Sequence, residues 1–190
     1  MVDSRQYFAK QQAAAVGFEY LDLISEELIN IGEPAFAVGG RYWSPIAAGT
    51  SLYYMNILTD VGGSHIAKYD LKTSTWTQLT LPASAADAAW VTGYAMRDGR
   101  VVYTPSKGTT CLILDLEAET FSESNAIGTI DSANGEHSAL GGDGRLYCSA
   151  FDNSDGLRVF DPTTDTFSLP IANLSPPITA GVRLYSGMVT

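Results

Sequence analysis

Seven residues with aromatic, charged or imidazole side chains lie near the start of successive repeats, and they are the candidates for binding a ligand. Aromatic faces beside a few charges suit a sugar or a peptide, although large aromatic side chains more commonly fill space between packed sheets. Both roles remain open for the tryptophans. The candidate ligand-binding residues are Arg41, Trp43, Trp90, Glu136, His137, Arg183 and Tyr185.

No pattern typical of a nucleophilic or metal-dependent enzyme occurs. There is no G-x-S-x-G motif, no Ser-x-Asp-x-Gly-x-Thr-Trp box of the sialidase type, and no evident base for Cys111 or Cys148. His65 and His137 each stand alone, and the "DNSDG" stretch at 152–156 places its glycine one position too early for a calcium loop. We therefore predict no catalytic residue, no metal ligand and no cofactor, although two acids from separate repeats could still converge as in a glycosidase.

A repeated aspartate indicates a structural rather than a catalytic role, because a catalytic residue is needed only once. The aspartates are separated by 48, 45 and 46 residues, and an Asp side chain can accept hydrogen bonds from the N–H groups of its own turn. Three of them are followed six residues later by an aromatic anchor. The repeated residues are Asp22, Asp70, Asp115, Asp161, Trp76, Phe121 and Phe167.

A second marker, "DGR", begins at Asp98 and again at Asp143. Asp-Gly between runs of alternating apolar residues is a strong hairpin signal. "GTS" at Gly49 and "DSR" at Asp3 hold the corresponding positions in the other copies. Each copy then contains four antiparallel strands in about 45 residues, which is typical of a β-propeller blade.

The four copies predict one all-β domain over 1–190, a four-bladed β-propeller with four antiparallel strands per blade. The copy at Asp3 lacks a first strand, and "RLYSGMVT" at 183–190 has the pattern of that strand. We expect this C-terminal strand to pair with the N-terminal blade, closing the ring and removing two free sheet edges. A piece of a larger propeller and an oligomer with shared blades are the alternatives. The predicted blades are 183–190 with 1–34, 41–82, 88–128 and 134–174.

The stretches "YDLKTSTW" and "FDPTTDTF" resemble the third-to-fourth-strand segment of kelch-like repeats. The double glycine that follows the second strand of a kelch repeat is present in one copy alone, at Gly62 and Gly63. The repeats are also similar in style to those of phage and other virion-associated proteins. This resemblance implies a binding or structural role.

Charge and hydropathy limit the partners. Asp and Glu number 21 against 11 Lys and Arg, a formal net charge of −10, and no basic cluster that could neutralise phosphates occurs. No apolar stretch approaches the roughly 20 residues of a membrane span, and "MVDSRQYFAK" at the start lacks the apolar segment of a secretory signal. We expect no nucleic-acid or membrane partner, and a cytoplasmic or virion location.

The sequence thus predicts a non-enzymatic binding or assembly module, with a structural or receptor-binding component of a virion as one setting for it. The protein is expected to be either a monomer or part of an assembly. Its protein or glycan partner is expected on the propeller face where the loops vary between blades, since function usually lies in varied loops on a regular frame. A carbohydrate-binding or carbohydrate-cleaving propeller, with its site at the mouth of the axis, is the alternative. The variable loops are 9–17, 58–66, 149–156 and 172–181.

Overall fold

The computed structural model confirms the predicted all-β class. Apart from two 3₁₀ helices, at Ala35–Ala37 and Ala83–Ala85, every regular element that it describes is a β-strand. Within this part of the chain, no helix has the length and apolar character to cross a membrane. The structure describes residues 5–9, 18–22, 24–37, 45–55, 65–85, 90–105, 110–126, 134–150 and 157–168.

The chain divides into two compact units, residues 1–87 and 88–190. The first unit holds two sheets in which all neighbouring strands are antiparallel. The first sheet has the order β1 (Arg5–Ala9), β2 (Phe18–Asp22), β3 (Glu27–Asn30). The second sheet has the order β4 (Ile46–Ala48), β5 (Ser51–Met55), β6 (His65–Asp70), β7 (Thr75–Thr80).

The second unit also holds two sheets. The third sheet is antiparallel and consists of β8 (Trp90–Ala95), β9 (Arg100–Pro105), β10 (Leu112–Asp115) and β11 (Thr120–Glu123). The fourth sheet consists of β12 (Asn125–Ala126), β13 (Asn134–Leu140), β14 (Leu146–Ala150), β15 (Leu157–Asp161) and β16 (Thr166–Ser168). Its order is β12-β16-β15-β14-β13, and β12 lies parallel to β16.

The prediction of four antiparallel strands per sheet is confirmed for the second and third sheets and for β13–β16 of the fourth sheet, and it is not tested for the first sheet. The first sheet has three strands in the described part of the chain, and the segment predicted to be its fourth strand, 183–190, lies outside the described residues. The fourth sheet has five strands, because the chain leaving β11 continues in an extended conformation and pairs with β16. Closure of the ring therefore stays a prediction.

One type of turn joins the last two antiparallel strands of every sheet. The repeated aspartate ends the first of these strands, and its Oδ1 accepts a hydrogen bond from the backbone N–H two residues later, at 2.7–2.9 Å. The fourth residue of each turn adopts the left-handed conformation, which closes the turn and returns the chain antiparallel. These residues are Glu26 (φ 58°), Ser74 (φ 55°), Glu119 (φ 52°) and Asp165 (φ 51°).

Each unit has an apolar core that joins its two sheets. In the first unit, Phe18 of β2 packs with Leu52, Tyr54, Ala67 and Tyr69 of the second sheet. In the second unit, residues of the third sheet pack against the fourth sheet, and the Tyr94 hydroxyl donates to the Ser138 carbonyl. Burying one such large side chain contributes roughly 1.5–3 kcal/mol. The second core contains Met96, Val102, Cys111, Ile113, Leu146, Cys148, Phe160 and Phe167.

Candidate functional site

A cleft of about 330 Å³ opens between the first and second sheets in the first unit. One wall comes from β2, β3 and the residue that follows β3, and the other from the end of β6 and its turn. Five of the seven lining residues are aromatic or aliphatic, and the lining also contains one amide and three hydroxyl groups, so apolar walls and polar groups occur together as in a small binding pocket. The lining residues are Tyr20, Ile29, Asn30, Ile31, Tyr69, Leu71 and Ser74.

Strand register explains why these side chains share a wall. Tyr20 and Ile29 are direct partners in the β2–β3 ladder, so both side chains lie on one face of the first sheet. Phe18, two residues before Tyr20, projects on the same face and is fully buried in the core. The cleft is therefore the outer end of the interface between these two sheets.

Aromatic side chains pack closely at the inner end of this interface. The Trp76 ring lies 4.6 Å from the Phe18 ring and 4.8 Å from the Tyr69 ring, centroid to centroid. The Phe18 and Tyr54 rings meet edge to face at 4.7 Å. Such pairs stabilise their arrangement beyond simple area burial, so Tyr69 is held in place where it lines the cleft.

Polar groups in the cleft are uncharged. Asn30 Oδ1 accepts a hydrogen bond from the Gly32 N–H at 2.7 Å, which orients the Asn30 amide. Ser74 holds the left-handed position of its turn. Because the lining residues carry no formal charge, the cleft suits a neutral group with an apolar part.

The seven predicted ligand-binding residues lie largely beyond what the structure describes. Trp90 is the first residue of β8, while Glu136 and His137 lie in β13, where His137 is the ladder partner of Ser149. The backbone thus places these three residues on strands, and their side chains are not described. Their grouping into one site stays a prediction. Arg41, Trp43, Arg183 and Tyr185, and most of the variable loops, lie outside the described residues.

The aromatic anchors differ in burial. Phe167 is fully buried in the core of the second unit, and Trp76 and Phe121 are partly buried. Leu28 takes the corresponding position in the first sheet and is 60% exposed. The sequence shows the same break, because the copy at Asp22 has a leucine where the others have an aromatic residue.

Both cysteine thiols are fully buried in the core of the second unit. Burial raises the pKa of Cys148 to about 12, although Ser138 and Arg158 partly offset this effect. Burial, with the neighbouring Cys148, also raises the pKa of the Cys111 thiol. A thiol with a raised pKa supplies little thiolate near pH 7 and is a poor nucleophile there.

Histidine and acidic residues form no metal-binding group in the described ranges, where no three His, Cys, Asp or Glu side chains converge. His65 is 4% exposed, and its ring meets the Phe36 ring edge to face at 5.5 Å. Burial lowers the pKa of His65, so its imidazole is neutral at physiological pH. The "DNSDG" stretch lies outside the described residues.

An arginine network in the second unit was missed by the sequence reasoning. The Arg100 guanidinium contacts Asp98 at 2.6 Å within its own turn, and Asp165 at 2.5 Å in the turn of the fourth sheet. It also donates to the Pro162 carbonyl at 2.6 Å. The hydrogen bonds that the guanidinium donates to Asp98 and Asp165 raise the pKa of Arg100, so its side chain stays charged. The recurring "DGR" marker was the available signal.

Comparison with protein families gives no match to a family model, and no curated protein matches the sequence. Solved structures do resemble the fold. The extracellular domain of a protein described as a one-component system from B. thetaiotaomicron matches with a TM-score of 0.60 at 15% identity, covering 88% of this chain and 21% of that one.

Two further structures have similar scores. Hydrazine synthase of Kuenenia stuttgartiensis matches at TM-score 0.58 and 13% identity, covering 80% of this chain and 41% of that one. Dihydro-heme d1 dehydrogenase NirN matches at TM-score 0.59 and 13% identity, covering 88% of this chain and 34% of that one.

This chain therefore spans between about a fifth and two fifths of the length of these structural neighbours. At such low identity the likeness concerns the fold alone. The neighbours are β-propeller-like proteins, and together with the antiparallel sheets they support a β-propeller fold for this chain.

Proposed function

We propose that this protein is a non-enzymatic binding or assembly module built on a closed four-bladed β-propeller of kelch-like repeats. The observation that carries the proposal is that the repeated aspartates bind the backbone of their own turns. The carboxylates of Asp22, Asp70, Asp115 and Asp161 accept hydrogen bonds from their own turns. The most regular polar feature of the chain therefore maintains the frame, which leaves the varied segments between strands for recognition.

Closure of the ring is part of the proposal and is supported by the repeat spacing. The four copies divide the chain into similar lengths, and 183–190 has the pattern of a fourth strand, which the described part of the first sheet does not contain. Joining the two would remove the free edges of a linear array of sheets, which are templates for aggregation. The style of the repeats supports a virion component as one setting for such a module.

The solution mass tests this architecture. Size exclusion with light scattering should give a monomer near 20.3 kDa, because a self-sealed ring leaves no blade incomplete for a second chain to fill. A stable oligomer whose mass falls only on unfolding would contradict the closed monomeric ring and favour shared blades.

Partner class is tested by screening glycans and candidate proteins for binding. We expect one ligand class to bind without being chemically altered, and Trp43→Ala or Trp90→Ala to weaken this binding. The matched control is Trp76→Phe, because Trp76 packs in the core of the first unit. Turnover of any glycan by the wild-type protein would contradict the non-enzymatic proposal and favour a carbohydrate-cleaving propeller.

A further inference from the structure

We propose that the outer edge of β7, together with the adjoining cleft, binds an extended peptide of a partner protein. The peptide would add to β7 as a parallel strand and place one apolar side chain in the cleft. This site is not required by the proposed function, so either proposal can fail without the other.

The second unit contains a template for this mode of binding. There, β12 lies parallel to β16 on the outer edge of the fourth sheet, with Asn125 opposite Thr166 and Ala126 opposite Phe167. The pairing begins with a hydrogen bond from the Asn125 N–H to the Asp165 carbonyl at 2.7 Å. Asp165 is the left-handed residue of the turn before β16.

The same positions can be identified in the first unit. Ser74 is the left-handed residue of the turn before β7, as Asp165 is before β16. The Ile31 N–H donates to the Phe18 carbonyl at 2.9 Å, just as the Ser124 N–H donates to the Cys111 carbonyl at 2.9 Å. Gly32 therefore corresponds to Asn125, the first residue of the added strand.

At Gly32 the two units diverge. Gly32 has a φ of +81°, a conformation that residues with a side chain rarely adopt, and its N–H donates to Asn30 Oδ1 rather than to the Ser74 carbonyl. The chain then continues through Pro34 into the 3₁₀ helix at Ala35–Ala37. The chain after Gly32, which is the counterpart of β12, therefore does not pair with the start of β7. The cleft lies at the position that a strand like β12 would occupy.

The edge of β7 is unusually open to pairing. Its sequence, "TWTQLT", contains no charge and no proline, and its ladder with β6 runs through six residue pairs without a bulge. Natural sheets normally protect a long regular edge with a charged residue, a proline or a bulge, and this edge has none of them. Among the described residues no strand pairs with this edge, whereas the equivalent edge of β16 is covered by β12.

The cleft defines the chemistry of the bound peptide. Ile29, Ile31 and Leu71 supply aliphatic walls, and the residues lining it carry no charge. Its volume lies at the lower end of the range for ligand pockets, about 300 Å³, so it suits a single side chain and its backbone. An extended, uncharged segment with alternating apolar residues fits both the edge and the cleft.

Fluorescence anisotropy with a labelled heptapeptide, Thr-Val-Thr-Leu-Thr-Val-Thr, tests the proposal. We expect saturable binding to the full-length protein, and roughly tenfold weaker binding to Thr77→Lys, because a lysine on an edge strand opposes strand addition. Ile29→Ala should weaken binding as well by opening the cleft wall. The matched control is Ser122→Lys, which places the same charge at the corresponding position of β11, where both side chains are exposed.

A peptide with proline at its centre should bind at least about tenfold more weakly, because proline removes a backbone N–H donor. Far-UV circular dichroism checks that each variant is folded. Absence of saturable binding at about 1 mM peptide, near the limit of weak association, would overturn the proposal, as would equal binding by wild type and Thr77→Lys. Conversion of a wild-type dimer to a monomer by Thr77→Lys would overturn it too, because a second copy would then be the occupant.

Discussion

Asp70 shows how one side chain maintains each turn of the repeat. Its Oδ1 accepts hydrogen bonds from the N–H groups of Lys72 at 2.7 Å and Thr73 at 3.0 Å. These bonds, with the one from Thr73 first, lower the pKa of the Asp70 carboxyl below its ordinary value. The pKa of the Asp161 carboxyl is lowered too, chiefly by hydrogen bonds from Thr163. The pKa of the Asp143 carboxyl is lowered chiefly by a hydrogen bond from the Arg145 backbone N–H.

Stability should therefore fall as the pH drops through the acidic range. A carboxyl whose pKa is lower in the folded than in the unfolded state stabilises the fold above its unfolded pKa, and this contribution is lost as pH falls through the folded pKa. Urea unfolding at several pH values between about 6 and 3 measures the loss. Asp70→Asn should lower stability at pH 6 and reduce its dependence on pH.

Glu33→Gln is the matched control for Asp70→Asn. Glu33 is exposed, and its carboxylate accepts none of the hydrogen bonds that close the turns of the described residues. We expect its removal to leave the pH profile of stability nearly unchanged. An Asp70→Asn variant with the wild-type pH profile would show that the turn bonds do not distinguish the two protonation states.

The two thiols should be unreactive in the native protein. Both are fully buried, and burial raises the pKa of Cys148 to about 12. A disulfide reagent such as DTNB should label neither thiol quickly at pH 8, and both after unfolding in guanidinium, because the thiolate is the reacting form. Rapid labelling of the native protein would contradict the packing described for the second core.

Arg100 connects two elements, since it joins the β8–β9 turn of the third sheet to the β15–β16 turn of the fourth. Its side chain is 18% exposed, against 41% for Asp98 and 42% for Asp165. The Arg100 guanidinium donates several charge-assisted hydrogen bonds at once, to both acids and to a backbone carbonyl. Partial solvent exposure of the acids screens the attraction and limits its contribution.

Arg100→Met should cost about 1–2 kcal/mol in the free energy of unfolding, because it removes a partly buried network. Arg100→Lys should recover little of this loss, since an ammonium group cannot reproduce the planar fork. Urea denaturation measures both. The control is Arg145→Met, whose side chain is 51% exposed and pairs with Asp161, and it should cost less, about 0.2–1 kcal/mol. Equal costs would show that the bridge between sheets adds no stability.

Local patterns predicted the strands well, because they are encoded in short stretches. Asp70 and Asp115 mark strand ends, and the Asp-Gly turns at Asp98 and Asp143 precede β9 and β14, as the hairpin signal indicates. The strand β12 was missed because its parallel pairing with β16 depends on residues about 41 positions away. Sequence periodicity contains no information about such a contact.

The cleft could not be predicted for a related reason. It depends on how the chain turns after β3, which the φ of Gly32 decides, and on the packing of Tyr69 against Trp76. A glycine and a proline in a sequence indicate a turn but not its direction. The predicted site around Trp43 and Trp90 came from residue types and from positions in the repeat, and it stays a prediction.

At the scale of the whole molecule, deletion of 183–190 tests the closed ring. If this segment completes the first sheet, its removal leaves the strand that it pairs with without a partner. The deletion should then be severely destabilising. Thermal melting followed by circular dichroism measures the change. The control replaces 183–190 with a Gly-Ser segment of equal length, which keeps chain length but not the strand pattern. An unchanged melting temperature in both variants would contradict closure by this segment.

The parallel pairing of β12 with β16 has a consequence for how the repeats can be inherited. By sequence, Asn125 and Ala126 belong to the third repeat, yet by hydrogen bonding they belong to the fourth sheet. A duplication or exchange with its boundary between these two repeats would separate β12 from the fourth sheet. The product that received the fourth repeat would lack the strand on the outer edge of that sheet, and the product that received the third repeat would carry β12 without its partner. Within the second unit, the two repeats must therefore be transferred together for both sheets to remain as they are.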